Sequence, residues 1–307
     1  MAINSAKDTE NTIDMSKSGS IQVPFSARSV SKPKKRSKTP VRGPRKRKKS
    51  SETKYMHALI FRLVVLLVAS LVGYMAWIYV FSPFRSKWLA RYGEEIYPDG
   101  YSIRGIDISH HQGEINWEKL SKATIGSEGV CFVFIKATEG ANFMDENFNE
   151  NFYEAREYGM IRGAYHYFNP SVPAKIQAEY YLKQVHLEAG DLPPVLDIEE
   201  RGTLSVEKLQ KAAREWLDIV EHKYNVAPIL YTNYKFKEAY LSSKEFERYP
   251  YWIAHYYVRN LTYKGQWKFW QHTDCGRLQG INEKVDLNIY NGSMYDLKRL
   301  CLPDTYE

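Results

Sequence analysis

PVLDIEERGTLSVEKLQKAAREWLDIVEHKYNVAPILY, residues 194–231, holds two short apolar runs, Pro194–Ile198 and Pro228–Tyr231, on either side of one helical stretch. Within Ser205–His222 the apolar residues Val206, Leu209, Ala213, Trp216 and Val220 recur at steps of three and four, the period of one helix face. Ser205 is placed to cap that helix. Strand, helix and strand in this order make a crossover unit, which requires parallel strands. Upstream, similar runs lie at Ile103–Ile108, Val130–Lys136 and Arg162–Phe168. Downstream they lie at Tyr251–Tyr256, Trp267–His272 and Lys284–Ile289, where gaps of about ten residues are too short for a full crossover helix. Eight strands with about five helices predict an α/β fold, an irregular and truncated relative of the TIM barrel.

In such barrels the chemistry sits where strands end. Asp107, then Ser109, His110 and His111, end the first run; Lys136 and Glu139 follow the second; Tyr165, His166 and Tyr167 belong to the third. The remaining runs bring Asp197 and Glu199, Tyr231 and Asn233, His255 and Tyr256, Gln271 and His272, and Asp286. Carboxylates and aromatics converging on one mouth describe an active site. Asp197 and Glu199 are two apart, so on an extended chain both face the same cavity. Neighbouring carboxylates do not both ionise readily: one keeps a raised pKa and serves as an acid while the other stays charged. Glycosidic cleavage uses that division. Taken alone, any Asp-x-Glu is more often a surface motif paired with Lys or Arg.

Adjacent histidines on an extended segment face opposite ways, so only one of His110 and His111 is expected to join Asp107. No zinc-type spacing and no GxSxG elbow is present, so neither a metal nor a nucleophilic serine is expected, and no cofactor is implied. Of three cysteines, Cys131 reads as a buried filler of a strand, and a Cys275–Cys301 bridge is open in an oxidising compartment.

The formal charge of +7 divides sharply. Residues 1–62 carry 16 Lys and Arg against 4 Asp and Glu, a net of +12; the rest carries 27 against 32, a net of −5. The first 54 residues, dense in Ser, Lys, Arg and Pro, read as a disordered basic tail. Residues 63–84 then run for 22 positions without a charge, inside a 55–84 span that predicts a membrane anchor. A cleaved signal peptide would be shorter and closer to the N-terminus. The excess of Lys and Arg before the span places the N-terminus in the cytoplasm and the later domain outside. The tail is then expected to meet anionic lipid, and nucleic acid is not an expected partner. Residues 85–100 read as a juxtamembrane stalk and 101–303 as one domain, whose oligomeric state the sequence leaves open.

GIDISHHQG (105–113), FIKATEG (134–140), RGAYHYF (162–168), VLDIEE (195–200), PILYTN (228–233), YWIAHY (251–256), FWQHT (269–273) and EKVDLNIY (283–290) together resemble the ordered signature of glycoside hydrolase family 25, the lysozymes or muramidases of the Chalaropsis type. The resemblance covers residues 103 to about 300. It implies a (β/α)5(β)3 barrel that hydrolyses the β-1,4 bond between N-acetylmuramic acid and N-acetylglucosamine in peptidoglycan. By match to the motif, Glu199 is the general acid. Asp197 is its partner, as nucleophile or as support for the sugar's own 2-acetamido group. Asp107 and Asp286 are implied to stabilise charge in the cleft, and Glu139, Tyr165, Tyr167, Tyr231, Tyr256 and Gln271 to contact sugar. A tethered wall-remodelling enzyme is the implied role; a barrel that binds peptidoglycan without turnover is the alternative.

Overall fold

The computed structural model describes residues 51–81 and 97–304. The tail, except for its last four residues, and the stalk, except for residues 97–100, lie outside the described residues.

A helix runs over Ser51–Ala76 and passes into one wider turn at Trp77–Phe81. Its described residues begin at Ser51, four before the expected span. At 1.5 Å per residue its 26 residues cover about 39 Å. None of its side chains is buried, and Leu63, Leu66, Leu67 and Val72 are exposed. Among the described residues this is the one helix long and apolar enough to cross a membrane.

The domain is a closed barrel. Its strands in chain order are β1 (Arg104–Ile108), the short β2 (Thr124–Ile125), β3 (Glu128–Glu139), the short β4 (Phe143–Met144), β5 (Ile161–Tyr167), β6 (Val195–Asp197), β7 (Ile229–Asn233), β8 (Tyr251–Ala254), β9 (Phe269–Gly276) and β10 (Val285–Tyr290). β1, β3, β5, β6, β7, β8 and β9 follow one another in parallel. β10 closes the ring, antiparallel to both β9 and β1. Helices at Trp117–Leu120, Phe148–Glu157, Ala174–Gln184, Val206–Tyr224 and Tyr234–Tyr240 fill the first five crossovers, while β8 reaches β9 and β9 reaches β10 through loops. This is the expected barrel of five β/α units and three further strands. The Val206–Tyr224 helix is capped by the Ser205 side chain, which accepts from the Lys208 amide, and buries Leu209, Ala213, Trp216, Leu217 and Val220.

Two apolar layers follow from the strand period of two. Val133, Ile135, Leu196, Leu230 and Ile253 face out, into a layer shared with Trp216 and Tyr181 of the helices. Phe132, Phe134, Val195, Ile229, Trp252 and Phe269 fill the barrel interior, with Phe134 stacked on Trp252 at 4.3 Å between centroids. The interior is tight enough to require glycine at Gly105, where a Cβ would come within 2.5 Å of the Phe132 ring. Because inward positions alternate, Asp197 lies above Val195, Tyr231 above Ile229 and Gln271 above Phe269, all on the inner face near the mouth.

Three expectations are corrected. Cys131 is only partly buried: it lies near the start of β3, at the edge of the inner layer against which it packs. Cys275 and Cys301 are both free thiols: Cys275 stands at the end of β9, beside Asp274, and Cys301 follows the last helix, bonded to the Leu297 carbonyl. His110 and His111 do not sit on an extended segment. Ser109 caps a 3-10 turn over His110–Gln112, which brings the two rings together at 4.1 Å.

Candidate active site

β6 is only three residues long and ends at Asp197. The extended path continues past it, because the Ile198 amide donates to the Tyr231 carbonyl. Ile198 therefore turns out into the helix layer, and Asp197 and Glu199, on either side of it, both turn in. Asp197 is 6% exposed and its Oδ1 has no hydrogen-bond partner. Glu199 is half-buried.

Opposite them stands a second acidic pair. Asp107 near the end of β1 and Asp286 near the start of β10 are paired across the sheet. Asp286 reaches the mouth because β10 runs against its neighbours, which puts its first residues where other strands have their last. Between the two carboxylates lies Gln271 of β9. Its Nε2 donates to Asp107 Oδ2 (2.8 Å) and Asp286 Oδ2 (2.9 Å), and its Oε1 accepts from the hydroxyls of Tyr231 (2.7 Å) and Tyr256 (2.8 Å). Asn288 Nδ2 makes a further bond to Asp107 Oδ2 (2.7 Å) and is itself held by Trp252 Nε1 on Oδ1 (2.8 Å).

The third wall comes from β3 and β5. A bulge between Lys136 and Thr138 shifts the strand by one residue, so that Lys136 and Glu139 share a face. Their side chains meet at 2.7 Å. Lys136 Nζ also lies 5.1 Å from the Tyr167 ring and 5.4 Å from that of Phe143. Beside them His110 is tied to the buried Asp145 through backbone and ring nitrogens, both at 2.8 Å, and leaves Asp107 to the amides.

Burial dominates the electrostatics. It raises Asp107 to about 7 against the opposing hydrogen bonds from Asn288 and Gln271. Asp197 stands well above the ordinary carboxylate range, first through burial and then through the charge of Glu199. Asp286 is likewise held well up, by burial and then by Asp107. Glu199 is raised by burial and by the neighbouring Glu200. Lys136 opposes the rise at Asp197 but does not cancel it. Tyr165 and Tyr231, which face the acidic groups, are kept neutral, by burial first.

All ten residues singled out in the sequence thus line one mouth: Asp107, Glu139, Tyr165, Tyr167, Asp197, Glu199, Tyr231, Tyr256, Gln271 and Asp286. Gln271 and Tyr231 are buried and engaged with protein partners; Glu139, Tyr165, Tyr167 and Tyr256 are half-buried, with Glu139 paired to Lys136 and Tyr256 to Gln271. His166 and His272, from the same strand ends, point the other way. His166 accepts from Thr138 at Nδ1 (2.8 Å), donates to Gln177 at Nε2 (3.1 Å) and stacks on Trp216, and burial lowers it to about 4. His272 is buried outside the barrel and is lowered to about 3 by desolvation and by Arg104. Asn288 and the inward orientation of Lys136 were not singled out. Asn288 is two residues from Asp286 in an alternating strand, so the same period that finds Asp286 finds it. Among the described residues no group of three or more His, Cys, Asp and Glu is arranged to hold a metal ion.

Comparison with known proteins bears on this site directly. The model of the glycosyl hydrolases family 25 matches residues 106–281. The uncharacterized protein YegX of Escherichia coli K12 is 44% identical over 202 residues, which is 66% of this chain and 74% of that protein. Lysozyme M1 of Streptomyces globisporus is 33% identical over 210 residues, 64% of this chain and 70% of that one. A crystal structure of the bacterial lysozyme from Streptomyces coelicolor superposes with a TM-score of 0.60 at 32% identity, over 66% of this chain and 98% of that one. The barrel that gathers these carboxylates belongs, with its chain, to glycosyl hydrolases family 25.

Proposed function

We propose that the barrel is a muramidase, cleaving peptidoglycan between N-acetylmuramic acid and N-acetylglucosamine with help from the substrate's own 2-acetamido group. The observation that carries this reading is the Asp197–Glu199 pair, with Asp197 Oδ1 buried and unpartnered. A buried carboxylate oxygen without a donor is costly, so the fold disfavours the Asp197 anion in the free site. Asp197 keeps a small exposed face at the mouth, and the acetamido N–H of a bound sugar meets the carboxyl there. In the free site the two carboxyls titrate as a unit, and the deeper burial of Asp197 keeps the proton there. That N–H, added to the pull of Lys136, favours the Asp197 anion and moves the proton to Glu199.

Glu199 then protonates the glycosidic oxygen as the C1–O bond breaks. The acetamido oxygen attacks C1, and Asp197 balances the positive charge that develops on its nitrogen. Glu199, now a base, activates the water that opens the cyclic intermediate and regenerates the acetamide. Asp107, Asp286 and their amides stabilise the oxocarbenium-like charge from the opposite wall. On this scheme, peptidoglycan de-N-acetylated at muramic acid is cleaved at least about 10²-fold more slowly than the acetylated polymer, because an intramolecular nucleophile has been removed. Equal rates on both would instead make Asp197 the nucleophile.

We further propose that the enzyme works tethered, with the Ser51–Ala76 helix in the bilayer, the basic tail on cytoplasmic anionic lipid and the barrel outside. The support is the exposed apolar surface of that helix and the Lys and Arg excess before it. Protease added outside sealed cells is expected to digest the barrel and spare an epitope at the N-terminus. Digestion of the epitope with the barrel intact would reverse the orientation.

A further inference from the structure

Gln271 is 2% exposed and all four hydrogen-bonding positions of its amide are occupied by protein. Its orientation is fixed, since a flipped amide would turn Oε1 onto two carboxylates and Nε2 onto two hydroxyls that already donate. We propose that Gln271 is a positioning residue: it clamps Asp107 and Asp286 into a single unit that shares one proton, with that proton on Asp286 and the charge on Asp107. The inference deepens the proposed reaction and rests on it for its catalytic meaning.

The count of donors decides which partner is charged. Asp107 Oδ2 receives two amide N–H groups, from Gln271 and Asn288, and Asp286 receives one, from Gln271. The two carboxyls are direct partners across the sheet, and the charge of Asp107 adds to burial in holding Asp286 up. Each additional N–H stabilises the charged form, and the Trp252 indole holds the extra donor, Asn288, in place. Burial argues against two charges side by side. The unit therefore shows the cleft one negative charge, at a fixed place, to meet positive charge developing on the sugar.

The other titratable groups facing the unit come from β5 to β9: Tyr165 of β5, Asp197 and Glu199 at β6, Tyr231 of β7, Tyr256 after β8 and Asp274 of β9. The two hydroxyls on Gln271 are raised above the ordinary tyrosine value, by burial first. They stay donors across the pH range of any assay, so the clamp does not change with pH even though the pair beneath it does.

The test uses the full-length chain in detergent, with infrared difference spectra and steady-state kinetics. At neutral pH the parent is expected to show a protonated-carboxyl band that disappears in Asp286→Asn and shifts in Gln271→Met. Gln271→Met is expected to lower kcat by about 10- to 100-fold with KM within about threefold, and to move the acid limb of the kcat/KM profile upward as Asp107 loses a donor. Should Gln271→Met not fold, Tyr256→Phe carries the test, with a smaller limb shift in the same direction. A rise in KM with the limb and the band unmoved would make Gln271 a sugar contact. Absence of an Asp286-dependent band in the parent would remove the shared proton. The infrared arm needs no turnover, so an inactive parent would sink the proposed reaction while the clamp is still judged.

Discussion

Glu199→Gln is expected to lower kcat/KM on peptidoglycan by about 10²- to 10⁴-fold, the range that a positioned general acid contributes. The amide keeps the size of the side chain but has no transferable proton. Glu199 stands half-buried just beyond the end of β6, so the folded state should tolerate the change. Its carboxyl is raised by burial and by Glu200, and the substitution removes that cost at neutral pH. A fall in activity without a fall in Tm therefore separates a chemical role from a structural one. A loss of both together, or of neither, would count against Glu199 as the acid.

Asp197→Asn is expected to lose at least about 10²-fold in kcat, as removal of a preorganised electrostatic partner does elsewhere, while gaining thermal stability. The sign follows from the raised carboxyl, held well above its ordinary value first by burial and then by Glu199. A carboxyl whose folded pKa exceeds its unfolded one favours the folded state below the unfolded pKa. That contribution is lost as pH rises toward the folded pKa. The difference in Tm between variant and parent should be small near the ordinary carboxylate pKa and grow as pH is raised toward neutrality. A gain independent of pH would locate the effect in packing. A loss of stability at neutral pH would mean that Asp197 is satisfied in the folded protein after all, against its unpartnered Oδ1. Activity and stability are thus expected to oppose each other at this residue, as they do where a site is held in a state the fold alone would not choose.

Much of the barrel was legible because its signals are local. The steps of three and four in Val206–Tyr224, the capping Ser205 and the short gaps after Tyr251 each report a nearby constraint. They sufficed for eight strands, five crossovers and the closing run. The Asp197–Glu199 pair was legible for the same reason, since i and i+2 on an extended chain share a face. What escaped were facts set by distant partners. Gln271 read as a sugar contact because nothing near it in sequence announces that Tyr231, Tyr256, Asp107 and Asp286 would use all of its amide. His166 and His272 stood at strand ends but on outward positions, where Gln177 and Trp216 complete one, and burial, then Arg104, keeps the other neutral. The paired histidines were misplaced by a turn, since Ser109 starts a 3-10 segment where an extended chain was expected. The pair of Asp107 with Asp286 depended on the direction of β10, which is a property of the whole ring.

The most direct measurement is the identity of the new chain ends. Purified peptidoglycan is incubated with the full-length protein in detergent, and with Glu199→Gln in parallel. The digests are reduced with borohydride, and the reduced sugars are identified by mass spectrometry. New ends that become muramitol, abundant with the parent and nearly absent with the variant, are the expected result. New ends that become glucosaminitol, or muramitol released equally by both proteins, would contradict a muramidase acting through Glu199.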